Sequence, residues 1–127
     1  ARIGGAYIAK LHQWVWGVDL IGQYLLTRLG RPITPGKAPC PLTHIATSDL
    51  PCPRSGVILR ADFLEAIDSP HVILKRVYVT AGQRVTGPDG GVPDSLGEIF
   101  VAAASTDEAA RVLDRLLAQI QFDIAVT

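Results

Sequence analysis

Apolar residues recur at helical spacing in the opening part of the chain. From Ala6 to Trp16, Ile8, Leu11 and Val15 fall on one face, and Gly17 supplies a stop. Asp19 stands at the head of a second run carrying Leu20, Tyr24, Leu25 and Leu29, which Gly30 closes. Two helices joined by a short glycine turn make a hairpin whose apolar faces need a partner to cover them. Residues 31–55 then hold six of the nine prolines (Pro32, Pro35, Pro39, Pro41, Pro51 and Pro53). Proline fixes φ and removes a backbone donor, so this stretch reads as an extended connection, interrupted by a short strand around Leu42 to Thr47.

The second part alternates between strand and helix patterns. Gly56 to Arg60 predicts a short strand, Ala61 to Asp68 a short helix, and His71 to Val79 a strand with Val72, Leu74, Val77 and Val79. A turn at Ala81-Gly82 precedes a loop from Thr86 to Ser95, and Gly97 to Ala104 is an apolar strand. Ser105-Thr106-Asp107-Glu108 is a capping box: the hydroxyl satisfies an orphan backbone donor and the carboxylate reaches back. The helix it opens carries Ala109, Val112, Leu113, Leu116, Leu117 and Ile120 on one face, and Phe122 to Val126 closes with a strand. From Gly56 the order is β-α-β-β-α-β, the split pattern of ferredoxin-like units. The expected fold class is α+β: a helical hairpin, then an antiparallel sheet with helices on one face. The domain boundary falls in the proline-rich stretch, dividing the chain into 1–42 and 43–127.

Composition narrows the function classes. Among 127 residues the hydrophobic fraction is 48% and the charged fraction 19%, ordinary for a globular protein. Lys plus Arg equals Asp plus Glu at 12 each, so no electrostatic case exists for nucleic acid or an anionic membrane as partner. The apolar runs are far shorter than the roughly 20 residues needed to span a bilayer. Ala1-Arg2-Ile3-Gly4-Gly5 is no basic segment leading into an apolar one, so no secretory leader is expected and the expected compartment is the cytoplasm. The sequence contains no methionine, which leads us to expect a fragment, a mature product or a trimmed chain. Cys40 and Cys52 sit between prolines without the spacing of a zinc site, and are expected to be thiols.

The usual catalytic arrangements are missing. His12, His44 and His71 fall on three separate elements without a nucleophile at a recognised spacing. The loop from Gly87 to Gly97 has no Gly-Lys-Ser/Thr; it reads as a hairpin connection or as a flap beside a site. Trp14 and Trp16 are expected to pack the hairpin against its neighbour. What remains is Arg2-Ile3-Gly4-Gly5 before a helix. A planar guanidinium fork and two units without side chains, next to orphan helix donors, suit an anion.

The run from Ala1 to Ala9, with Gly17-Val18-Asp19-Leu20 after it, resembles the end of the ATP-grasp signature. There a strand carrying Glu-x-Asn-x-Arg continues into Gly-Gly and a helix, and a second helix begins near Gly-x-Asp. Val79 to Val85, Leu96 to Val101 and Thr106 to Ala110 resemble the C-terminal subdomain of L-amino-acid-ligase-like members. The resemblance covers nearly the whole chain. It implies that 1–42 is the end of an ATP-grasp domain and 43–127 a C-terminal subdomain. The signature's Asn would stand immediately before Ala1, so both metal-ligating residues lie outside this sequence, as do the strands that hold the nucleotide.

For the parent enzyme the resemblance implies ATP and magnesium as cofactors and small-molecule carboxylate and amine substrates joined through an acyl-phosphate. It assigns Arg2 to the phosphate oxygens and the Gly4 and Gly5 amides to the oxyanion. This chain alone is expected to be inactive, to bind neither ATP nor magnesium, and to self-associate through the uncovered hairpin. The alternative is a non-enzymatic α+β interaction or oligomerisation module.

Overall fold

The computed structural model describes residues 5, 7–33 and 40–126. The chain divides into two compact units, Ala1–Ile45 and Ala46–Thr127.

The first unit is a helical hairpin. Helix α1 spans Ile8–Trp16 and stops at Gly17, whose φ of 66° is one that glycine adopts without a Cβ clash. Helix α2 spans Leu20–Arg28; the Asp19 carboxylate caps it, accepting from the Gly22 N–H at 3.0 Å. The Leu42 N–H donates to the Val15 carbonyl at 2.7 Å and ties the later chain to α1. Neither helix contains a fully buried residue. The expected hairpin is present and its apolar residues remain open: Ile21, Leu25 and Leu29, spaced four apart, are all exposed.

The second unit is α+β. Its strands are β1 (His44–Pro51), β2 (Gly56–Ile58), β3 (Val72–Val77), β4 (Arg84–Val85), β5 (Ser95–Ala103) and β6 (Ile124–Ala125), and helix α3 spans Thr106–Leu117. They form two three-stranded antiparallel sheets, ordered β1-β5-β3 and β4-β2-β6, rather than one split sheet. In the first, Lys75 pairs with Ile99, Arg76 with Glu98 and Val77 with Gly97. A Cβ on Gly97 would overlap the Arg76 carbonyl, so glycine permits the strands' close approach there.

Each sheet has its own core. Ile99, Val101 and Leu50 meet Val112, Leu113 and Leu116 of α3, together with Leu64 and Ile67. Cys52, Ile58, Val79, Val85, Leu96 and Ile124 form the other. Phe63, Val77 and Phe122 pack against both, and the rings of Phe63 and Phe122 meet edge to face with centroids 5.0 Å apart. Two cores explain two sheets: Val77 packs against both clusters and Val79 belongs to the second alone, so the chain crosses from one core to the other just after β3.

The helix expected over Ala61 to Asp68 does not form. Turns with i→i+3 bonds stand there instead, from Glu65 N–H to Asp62 and from Ile67 N–H to Leu64. Eight residues are too few to offset helix nucleation, and Ser69-Pro70 blocks extension. The Lys75 ammonium donates to the carbonyls of Leu64 and Ile67, at 3.0 and 2.8 Å. Helix α3 forms as its capping box predicts: Ser105 Oγ accepts from the Glu108 N–H at 3.2 Å, and Glu108 Oε2 accepts from the Ala104 N–H at 3.1 Å.

Candidate functional site

Of the sequence-derived site residues, Arg2 and Gly4 lie outside the described residues. Gly5 is in a turn and exposed, and a Cβ placed on it would meet no atom within 4 Å. Its carbonyl accepts from the Ile8 N–H at 3.2 Å, so it belongs to the turn that starts α1. Tyr7 precedes the helix with φ 60° and ψ 11°, the left-handed region that a bulky residue seldom occupies. Helix α1 has no side-chain cap and no acidic residue in its first turn. The start of α1 thus has an open glycine turn, a neighbour in a left-handed backbone and no side-chain cap.

The three histidines occupy separate places: His12 on α1, His44 at the start of β1, and His71 just before β3. Cys40 is an exposed thiol and Cys52 a buried one, whose Sγ–H donates to the Arg54 carbonyl at 3.0 Å. Trp14 lies under the Lys10 ammonium, 5.7 Å from the ring centroid, while Trp16 is exposed. Among the described residues no group of three or more His, Cys, Asp or Glu converges as a metal ion would require.

The loop between β4 and β5 is held at both ends. Ser55 donates to Asp89 Oδ1 through its N–H and its hydroxyl, each at 2.9 Å, and Ser55 Oγ accepts from the Gly87 N–H at 2.9 Å. Asp94 Oδ2 accepts from the Thr86 N–H at 2.7 Å. The Ser55 backbone and then its hydroxyl, both donating to the carboxylate, hold Asp89 below the usual carboxyl range. A Cβ on Gly87 would overlap the Arg54 backbone, so the loop lies directly against residues 54 and 55. Of the two sequence readings, this geometry is that of a clasped connection.

Sequence reasoning missed a cavity of about 460 Å³ lined by Arg60, Asp62, Phe63, Gln119, Phe122 and Asp123. Arg60 donates to Asp62 through Nη2 at 2.5 Å and Nε at 3.2 Å. That hydrogen bonding lowers the Asp62 pKa and raises that of Arg60. The Arg-x-Asp spacing after β2 is its only sequence signal.

No protein-family model matches the sequence. No curated protein matches it either. Its fold, however, matches solved structures over almost its whole length. An L-amino acid ligase from Bacillus licheniformis superposes on 99% of the chain with a TM-score of 0.82 at 18% identity. A phosphoribosylglycinamide synthetase from Anaerococcus prevotii superposes on 98% with a TM-score of 0.65 at 11% identity. The chain spans 31% and 32% of those two proteins, about a third of each. The fold is therefore one found within these two proteins.

Proposed function

We propose that this chain is the C-terminal part of an ATP-dependent carboxylate–amine ligase that works through an acyl-phosphate. The observation that carries this reading is the likeness of nearly the entire chain to part of an L-amino acid ligase, at a TM-score of 0.82. The open turn at Gly5 and the start of α1, which has no side-chain cap, are compatible with it locally.

In the proposed reaction a substrate carboxylate oxygen attacks the γ-phosphorus of ATP and ADP leaves. An amine then adds to the acyl carbon, and the tetrahedral intermediate collapses with loss of inorganic phosphate and a proton. Arg2 neutralises the phosphoryl oxygens through its bidentate fork. The Gly4 and Gly5 amides face the oxyanion, and each such donor changes the rate by about 10²–10³. Magnesium, when bound in the parent, screens the ATP phosphates. Its ligands in this reading are the Glu and Asn of the preceding strand, and the described residues here supply no substitute set. We place the parent in the cytoplasm; no described helix is long and apolar enough to cross a membrane.

The test uses a longer polypeptide that adds the upstream strands and substrate lobe. It should form ADP only when carboxylate and amine are both present, and Arg2→Ala should cut turnover about 10²–10³-fold with the fold unchanged by circular dichroism. Near-normal turnover in Arg2→Ala would remove the role proposed for it. The 127-residue chain alone should neither bind nor hydrolyse ATP.

A second reading, an association module, has its own support in the exposed row Ile21, Leu25 and Leu29 on the hairpin. Self-association of the isolated chain through that row is compatible with either reading, whereas ADP formation by the longer polypeptide separates them.

A further inference from the structure

A second cavity, of about 470 Å³, lies between the start of β3 and one face of α3. His71, Ser105, Glu108, Arg111, Val112 and Arg115 line it. Two guanidiniums and an imidazole thus share one recess with a single carboxylate. That carboxylate is engaged, since Glu108 Oε2 accepts from the Ala104 N–H at 3.1 Å. Arg111 spends only Nε, on the Asp107 carbonyl at 3.2 Å, which leaves both Nη groups. Arg115 makes no hydrogen bond or ion pair among the described residues.

Arg111 and Arg115 stand four apart on α3 and so reach the recess from one face of the helix. His71 is fixed from the other side. Its carbonyl accepts from the Ala102 N–H at 2.8 Å. Its Nδ1–H donates to the Ala102 carbonyl at 3.0 Å, because a carbonyl can only accept, and Nε2 is left for the recess. The recess is thus lined from two elements; the guanidiniums supply its donors, and His71 Nε2, an acceptor in this tautomer, donates to an anion only when the ring takes up a second proton.

We propose that this recess binds a phosphoryl oxyanion, free or as the ester of a small polar molecule. One guanidinium fork is enough for a planar carboxylate. Two forks a helical turn apart, with an imidazole opposite, instead surround a group whose oxygens point in several directions. Val112 is the only apolar residue in the lining, so a hydrophobic carrier has nothing to rest on. The site is built from the second unit alone and is independent of the ligase reading.

The test titrates the 127-residue chain with inorganic phosphate and, separately, glycerol 3-phosphate, at constant ionic strength against chloride. Calorimetry and ¹H–¹⁵N spectra follow the binding. Saturable binding should perturb the His71, Arg111 and Arg115 signals, and Arg111→Gln and Arg115→Gln should each weaken it about tenfold. Binding of the ester alone assigns the site to a carried phosphoryl group; equal binding of both assigns it to the free anion. Failure of both to saturate overturns the proposal. So does unchanged affinity in the double variant, with far-UV circular dichroism showing α3 intact.

Discussion

Asp89 is exposed, yet it joins Ser55 to the loop 34 positions away in sequence. Its pKa is lowered in the folded chain, chiefly by the Ser55 backbone donor. A carboxyl depressed in this way adds stability above its unfolded pKa, and the contribution disappears as pH falls through the folded value. Asp89→Ala should therefore lower the urea midpoint at neutral pH and leave it unchanged well below the carboxyl range. A midpoint difference that persists in acid would show that the clasp does not depend on the charge. Gly87→Ala should cost about 1–3 kcal/mol, since its Cβ must displace the Arg54 backbone; denaturant unfolding measures this. Such contacts leave no trace in the local pattern. Nothing in Gly-Pro-Asp-Gly says that its Asp belongs to Ser55, and nothing in Ala-Tyr-Ile says that Tyr7 adopts a left-handed backbone. The helix that follows Gly5 was legible, because the spacing of Ile8, Leu11 and Val15 is a local signal.

At the scale of elements, what the sequence made readable was whatever closes on itself within a few residues. Helix α3 announces its start through Ser105 and Glu108 and its buried face through Val112, Leu113 and Leu116. Ser105→Ala should cost about 1 kcal/mol through the lost cap, and Ile99→Ala about 2–5 kcal/mol through the cavity left under α3, both read from thermal or urea unfolding. A loss at Ile99 below that of Ser105 would mean that the sheet and helix do not share the core described. The segment from Ala61 to Asp68 shows the opposite case. Its apolar spacing suits a helix, but Lys75 from another strand holds its carbonyls in short turns. The split into two sheets was equally hidden, because the alternation does not reveal that Val79, just beyond β3, belongs to the second core while Val77 packs against both.

For the whole molecule, the fold covers about a third of each of the two solved proteins it resembles, and the hairpin exposes Ile21, Leu25 and Leu29. Sedimentation of the isolated chain should show a mass that rises with concentration, and Leu25→Lys should return it to a monomer. A strictly monomeric isolated chain without the substitution would show that this row does not drive association. The central claim concerns an acyl-phosphate, and hydroxylamine tests it most directly, because that nucleophile converts an acyl-phosphate to a hydroxamate. The longer polypeptide, given ATP, magnesium, its carboxylate and hydroxylamine in place of the amine, should yield hydroxamate in step with ADP, and Arg2→Ala should lose both. Peptide or amide formation by that polypeptide with no hydroxamate, or hydroxamate yields untouched by Arg2→Ala, would contradict the account.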